Sequence, residues 1–296
     1  MMRLVVVFSL ATGGILAFAK GALKRSERAL FRSLWPMLEP LDVVLADRGF
    51  CSYAECYLLN RQRVDWVMRK YHSRTVGVKH KKRLGKHDHL VDWMKTPVRP
   101  KWMPQEEWTA MPDTLTLREI TVLVDIPGFR TRVIVVATSL TNPKDFPAQA
   151  FADLYRLRWM AELFLRDIKT SQGMDILRCK TPDMIHKELL MHLLAYNLLR
   201  AVLMQVARNH RQSLYRLSFK TTLATVRNWE SRTDEPQAAF GLSLRMLDYL
   251  AQALIPHRPN RIEPRAIKRR PKEYDRLNQP RPILRQRLLQ NAAEQP

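Results

Sequence analysis

The sequence predicts an α/β fold. Three observations carry it. Two short apolar runs, residues 42–47 and 64–69, flank a segment with helix-capping chemistry, so strand and helix alternate there. Two alternating β-branched runs, 114–126 and 130–139, meet at Pro127-Gly128 and read as a hairpin. Two long periodic segments open at Pro147 and at Thr181-Pro182 and read as helices.

The first element is ambiguous in isolation. Met1-Met2-Arg3 precedes an apolar run, 4–19, and Ala17-Phe18-Ala19 has the outline of a signal-peptide cleavage site. The run is short for a membrane span, and Ser9, Thr12, Gly13 and Gly14 interrupt it. The same residues read as a buried β-hairpin turning at Thr12-Gly13-Gly14. A strong positive charge and three unpaired cysteines would be unusual in a secreted protein, which favours the hairpin. A helix is expected over 24–38 from the spacing of Leu30, Phe31 and Leu34, ended by Pro36 and Pro40. The strand 42–47 ends in Asp47, followed by Arg48-Gly49-Phe50. Ser52 and Glu55 stand at capping-box spacing and start a helix through about Asn60.

Character changes after the strand at 64–69. The basic run 79–83 and a Pro-rich stretch holding Trp93, Trp102 and Trp108 lie between it and the hairpin at 114–139. Residues 64–140 therefore read as a β-rich insertion between an N-terminal core part, 1–63, and a second core part, 141–210. A helical region, 211–256, and a basic tail, 257–296, complete the predicted organisation. The helix opened by Pro147 is stopped by Gly173, and the next runs to about Asn209 on an apolar face of Leu189, Leu190, Leu193, Leu194 and Leu198. The tail has 11 Lys or Arg against 4 acidic residues and reads as a mobile extension that could follow DNA phosphates or stay solvated.

Composition narrows the function. With 50 Lys or Arg against 28 Asp or Glu, the chain carries +22. A polyanionic partner is implied, nucleic acid first, because each phosphate neutralised releases counterions. An apolar content of 46% with 7 Trp excludes a wholly disordered chain, and a mean hydropathy of −0.30 excludes a polytopic membrane protein. Cys51, Cys56 and Cys179 are too few for a disulfide scaffold. Cys51 and Cys56 lack a second pair at zinc-site spacing and read as buried thiols, while His80, His87 and His89 read as part of a basic loop.

Two places could carry chemistry. On the helix after Pro147, Tyr155, Arg158, Glu162 and Lys169 fall within about 60° of arc at 100° per residue, and Arg166 joins that sector. One carboxylate among cations could hold a metal while they hold phosphate. An ordinary i,i+4 ion pair on a solvated face accounts for Arg158 and Glu162 as well. Asp47 stands at the C-terminal end of a strand, where α/β folds display functional groups, and also suits a simple turn.

Taken together, these residues resemble the DDE transposases of bacterial insertion sequences, in the insertion-sequence-four group. That group carries Tyr, two residues, Arg, three residues, Glu, six residues, Lys, and Tyr155, Arg158, Glu162 and Lys169 match every spacing. Asp47-Arg48-Gly49-Phe50 resembles the second catalytic aspartate with its turn. The resemblance runs from about Met2 to Asn209. It implies a ribonuclease-H-like core, a mixed five-stranded sheet with helices, interrupted by a β-rich insertion. Asp47 and Glu162 would be catalytic and bind Mg²⁺ or Mn²⁺, with two ions expected in a complete site. Tyr155, Arg158, Lys169 and Arg166 would grip DNA, and Trp93, Trp102 or Trp108 could stack on a displaced base. The partners implied are double-stranded DNA, as transposon end and target, and a second copy of the chain on DNA. No membrane is implied, and the expected location is the cytoplasm, at the nucleoid.

One departure matters. The group has a first catalytic aspartate on a strand that precedes the hairpin. Before Asp47 this sequence has only Glu27, Glu39 and Asp42, none placed to replace it. The expectation is thus the C-terminal part of a transposase, its first strand incomplete and its metal site impaired. Two alternatives stand beside it: a non-catalytic DNA-binding fragment that inhibits full-length transposase, and a secreted basic protein cleaved after Ala19.

Overall fold

The Val-rich start of the chain forms the hairpin. In the computed structural model, β1 (Met2–Phe8) and β2 (Ile15–Ala22) pair antiparallel, with Met2 opposite Ala22 and Val7 opposite Ala17. The structure describes residues 2–71, 78–123, 133–229, 236–256 and 279–293. Ser26 then caps α1 (Glu27–Arg32), which is shorter than the sequence suggests. Pro36 cannot donate the next helical bond, so the chain makes a single 3₁₀ turn, Trp35–Met37, instead.

β3 (Val43–Ala46) and β4 (Asp65–Arg69) lie parallel, Val44 opposite Trp66, across α2 (Tyr53–Arg61). Parallel neighbours need such a crossover. Ser52 caps α2 as its spacing predicts, accepting the Glu55 N–H. β5 (Val78–Gly85), β6 (Asp88–Met94), α3 (Gln105–Ala110), β7 (Thr114–Leu123) and β8 (Val133–Thr138) follow. The expected turn at Pro127-Gly128 lies outside the described residues. The strands order as β3-β4-β8-β7-β6-β5, a mixed sheet of six, and the β1–β2 hairpin is a separate two-stranded sheet. The five-stranded count fails because β7, β6 and β5 extend the sheet from β8 while the hairpin pairs with none of its strands.

The basic run 79–83 is a strand, not a loop. His80 sits on β5 opposite Val91 of β6, and its ring meets that of His89 edge-on at 5.2 Å. Lysine is a poor strand former, so the sequence hides this element, yet lysine suits an exposed edge.

Helices cover both faces of the sheet. Trp66, Met68, Val91, Trp93 and Leu117 join Phe31, Trp35, Tyr53 and Leu59 in one core cluster. Val67, Ile120, Val122 and Val136 point the other way, onto Phe151 and Tyr155 of α4 (Ala148–Arg166). The alternation Trp66, Val67, Met68 across the two clusters is the period-two pleat of a buried strand. Glu55, buried on α2, accepts from Arg32 at 2.7 Å and from Arg28, which ties α1 to α2.

The remaining helices form a third cluster. α5 (Pro182–Asn209), capped by Thr181, packs Leu189, Leu193, Tyr196, Leu199 and Leu203 against α6 (Phe219–Asn228) and α7 (Pro236–Gln252). Its expected apolar face is only half right. Leu190, Leu194 and Leu198 are exposed, because α5 is apolar on two sides and the described residues cover only one. By length and composition alone α5 would suffice to cross a membrane. The residues Asn260–Pro296 form a second unit, in which α8 (Arg281–Ala293) is a helix within the expected tail, and 257–278 lie outside the described residues.

α5 also fixes the hairpin. The Tyr196 hydroxyl donates to Gly13 O at 2.7 Å, and the Arg200 guanidinium donates to Thr12 O at 2.9 and 2.6 Å. Gly13 has φ +68°, and a Cβ there would stand 2.3 Å from the Arg200 guanidinium. Gly13→Ala is therefore expected to lose at least about 1–2 kcal/mol of stability from the left-handed backbone alone. Urea unfolding of the two proteins measures it, and an unchanged midpoint would show that the turn is not held as described.

Candidate active site

Local backbone chemistry positions Asp47. β3 stops at Ala46, and Asp47 (φ −80°, ψ 167°) caps the 3₁₀ turn Arg48–Phe50 by accepting the Arg48 N–H at 2.7 Å. The residue is exposed. A carboxylate has about four acceptor sites, so this one bond leaves most of its capacity open.

α4 supplies the opposing groups. Tyr155 is buried against the sheet, and its hydroxyl has no hydrogen-bond partner among the described residues. Burial pushes the phenol well above its usual range, the Asp47 charge adds to this, and Arg158 and Arg69 oppose it. Tyr155 is thus a neutral donor at physiological pH, close enough to Asp47 to feel its charge. Arg158 lies 5.9 Å over the Tyr155 ring and donates to Glu162 at 3.0 Å. The common sector predicted for these residues holds unevenly, since Tyr155 faces inward while Glu162 is exposed.

The end of α4 departs from regular helix. A π turn, Asp167–Ser171, precedes Gly173, whose φ of +82° ends the helix where the sequence predicts. An arc reckoned at 100° per residue assumes an α-helix through Lys169, and the wider π turn displaces Lys169 around the axis. Lys169 and Arg166 are both exposed, and Arg166 pairs with Asp167 at 3.7 Å. Burial raises the Asp167 carboxyl, while Arg166 and Arg200 act against that shift.

A groove of about 450 Å³ brings part of this set together. Asp47, Arg158 and Glu162 line it, with Phe8 of β1 and Ala46 of β3. Tyr155, Arg166 and Lys169 are not among its lining residues. Carboxylate oxygens are hard donors suited to Mg²⁺, which proteins commonly hold through one or two carboxylates plus phosphate oxygens. Asp47 and Glu162 fit that role. No cluster of three or more His, Cys, Asp or Glu that could hold a metal occurs among the described residues, so phosphate and water would have to complete the shell.

Comparison with known proteins assigns the fold a family. A model of the transposase DDE domain matches residues 1–198. The chain belongs to the DDE transposase family. It is also 28% identical over 285 residues to the transposase InsG of insertion sequence element IS4 from Escherichia coli (strain K12), an overlap of 92% of this chain and 60% of that relative. The chain thus spans less than two thirds of that transposase. Among solved structures it is similar to a piggyBac transposase synaptic complex with hairpin DNA, at 9% identity and a TM-score of 0.37, covering 85% of this chain and 48% of that one.

In this transposase-family chain the three tryptophans separate cleanly. Trp93 is buried and donates to Glu119 at 2.6 Å, and Trp108 is buried beneath Lys95. Trp102 alone of the three is part-exposed, with Arg32 stacked 3.9 Å over its ring. Cys51 and Cys56 are buried, as expected, and neither is in a disulfide. Sequence reasoning missed Arg69. It follows Met68, which pairs with Ala46, so two adjacent parallel strands end side by side and bring its charge near Tyr155. The ends of neighbouring parallel strands were the available signal.

Tyr155 gives a test of this geometry. An unpaired buried hydroxyl costs about 1–3 kcal/mol, so Tyr155→Phe is expected to leave stability unchanged or raised. Chemical denaturation measures it, and a loss above about 1 kcal/mol would reveal a hidden partner. The phenol is raised in the folded chain, so its contribution to stability is full below the ordinary value of 10.0 and fades as pH rises beyond it. Unfolding midpoints should therefore fall above pH 10 more steeply for the parent than for Tyr155→Phe.

Proposed function

We propose that the chain acts in DNA transposition, through metal-dependent cleavage of transposon ends and strand transfer to target DNA. The observation that carries this reading is the groove itself. Asp47 at a strand end and Glu162 on a helix line one cleft, beside a buried tyrosine hydroxyl with no partner of its own. Asp47 and Glu162 would hold Mg²⁺ or Mn²⁺ against the scissile phosphate. A bound ion supplies polarisation of the phosphate and a lowered pKa for the attacking water.

The chain's own groups do the rest. Arg158, which holds Glu162 in the absence of DNA, can turn its fork to a phosphate oxygen. Tyr155, kept neutral by burial, offers one donor to the same phosphate or to its water. Arg166 and Lys169, exposed beyond the groove, suit contacts to flanking phosphates. In cleavage, water attacks phosphorus and the bond to the 3′-oxygen breaks. In strand transfer, the freed 3′-hydroxyl attacks a target phosphate, so one P–O bond forms as another breaks.

In this reading the parallel β3–β4 pair, the hairpin and α4 are parts of a ribonuclease-H-like core, divided into 1–63 and 141–210 by the insertion 64–140. Trp102, part-exposed, is then the insertion residue placed to stack on a displaced base. The chain works as a homodimer on double-stranded DNA, in the cytoplasm at the nucleoid, with α5 packed among helices rather than spanning a membrane. Of the three carboxylates that line the groove, Asp42 stands at the opposite end of β3 from Asp47 and accepts from the Glu39 N–H, so Asp47 and Glu162 remain as ligands and cleavage is impaired.

Two measurements test it. On a duplex carrying the ends of the element that encodes the chain, cleavage requires Mg²⁺ and is lost in Glu162→Ala. DNA binding without cleavage by the parent would favour the inhibitory DNA-binding fragment instead. Lys169→Ala is expected to weaken duplex binding across all sequences and to lower the slope of log K against log salt by about 1. An unchanged slope would remove Lys169 from the DNA face.

A further inference from the structure

The uncovered side of α5 has the period of a helix-pairing seam. Set out in heptads with Met184 at a, the helix sorts its residues by burial. Leu189, Leu193, Tyr196, Leu199 and Leu203 fall on b, c and f and are buried in the cluster with α6 and α7. Every a and d position from Met184 to Arg208 is exposed. Four of these in succession, Met191, Leu194, Leu198 and Ala201, are apolar, and Leu190 and Met204 flank them at g. Met191, Leu194 and Leu198 are 63%, 53% and 60% exposed. A helix in a pair normally turns a and d to its partner and b, c and f to water. In α5 the b, c and f positions already serve the core of the chain, and the a/d seam is left over.

Size and charge select the occupant. The stripe is on the order of 600 Å², at the upper end of what the surface of a monomer shows. Two copies pairing along it bury about 1,200 Å², the lower bound of a specific interface. The chain carries +22, so most of its surface repels a second copy. Between Lys187 and Arg208 no a, d or g position is charged, so two such chains can approach there without like-charge cost. A nucleic-acid strand finds neither cations nor free N–H groups along this stretch to hold its phosphates.

The same residues fix the direction. An antiparallel pair centred at Tyr196 sets Leu194 against Leu198 of the second copy and Met191 against its Ala201, which gives two apolar layers on each side of the axis. Lys187 then meets Gln205, whereas a parallel pair would stack Lys187 on Lys187 and Arg208 on Arg208. A shallow groove of about 320 Å³ lies at the C-terminal end of the stripe, lined by Ala201, Met204 and Arg208. The antiparallel register brings Met184 of the second copy to that groove. A face that matches itself in this way closes at two copies.

We propose that the outer face of α5 is a dimer interface, on which α5 of a second copy lies antiparallel. The inference deepens the homodimer of the proposed function and rests on that reading for its use on DNA.

Sedimentation of the DNA-free full chain tests it at about 10–100 μM, in about 0.5 M salt to screen repulsion. The parent is expected to be a dimer and Leu194→Glu/Leu198→Glu a monomer, with association weakened at least about a hundredfold. Where both are monomeric, the two should share one urea midpoint, since neither leucine is buried in the chain itself. Thiol pairing reads the register in a Cys179→Ser background. A mixture of Leu194→Cys and Leu198→Cys chains is expected to oxidise to a crosslinked dimer at least about tenfold faster than either alone, because only the mixture puts both thiols in one layer. The inference is overturned if the parent stays monomeric over that range, if the Glu pair leaves the dimer intact, or if Leu194→Cys alone crosslinks as fast as the mixture. A Glu pair that lowers the urea midpoint of the monomer overturns it too, since the face is then covered from within the chain. Neither DNA nor metal enters these readouts. A dimer without cleavage, or cleavage without this dimer, therefore separates the interface from the proposed activity.

Discussion

The turn of the N-terminal hairpin is held on one buried guanidinium. Arg200 is desolvated, which pushes its pKa down, and it is compensated by the Thr12 carbonyl that accepts from it and by the charge of Asp167. Tyr215 in turn donates to Leu10 O, and Asn197 both accepts from and donates to Ile15. An Arg taken from water must be paired and hydrogen-bonded or it unfolds its surroundings. The neighbours of the guanidinium come from three parts of the chain: the hairpin through Thr12, its own helix α5, and α4, where the Phe164 ring lies 5.0 Å away and the Asp167 charge acts on it. Where the hairpin sits decides which edge β1 turns to the groove. Where Asp167 sits fixes the far end of the helix that carries Glu162. A single desolvated cation therefore couples the groove's two walls.

The groove, with Tyr155 buried close to its Asp47, combines this rigidity with unspent polar capacity. Asp47 uses one acceptor site on its own turn, and Tyr155 has a buried hydroxyl with no bond. Folded chains rarely leave such groups unsatisfied away from a functional site. The cost is carried by the apolar cluster around Tyr155, which holds the ring against Val67, Val136 and Phe151 whatever the hydroxyl does. In the function proposed above, that unspent capacity would serve as acceptors for a cation and a donor for phosphate.

Much of this was legible in the sequence, for stated physical reasons. The capped helix after Ser52, the helix from Pro147 to Gly173 and the one from Thr181 were all set by local backbone chemistry, which a single sequence displays. So was Asp47 at a strand end. The Tyr155, Arg158, Glu162 pattern survives in the folded helix, but its extension to Lys169 was blurred by a π turn that no spacing rule anticipates. Strand β5 was hidden because its Lys-rich sequence answers to edge position rather than propensity. The face of α5 was misread because periodicity cannot choose between two apolar sides. Long-range facts were beyond reach altogether: Arg200 on Thr12, 188 residues apart, and the groove between β1 and β3.

Two glutamates show how burial separates scaffold from site. Glu55 is 3% exposed, accepts from Arg28 and Arg32, and has the Ser52 hydroxyl on the same carboxylate. Removing one partner of a buried pair costs about 3–5 kcal/mol, so Glu55 cannot change its ligands without loosening α1 from α2. Glu162 has one partner, Arg158, and the two side chains are 45% and 24% exposed. Pairs so placed contribute about 0–1 kcal/mol, and water already competes for them. Replacing the guanidinium by a divalent ion, and turning Arg158 to a phosphate, thus costs little in fold and strengthens both contacts, since each meets a partner of equal or higher charge. In the proposed function, the weakness of the Arg158–Glu162 pair is what would fit these residues to an exchange of partners between each other and DNA with its metal.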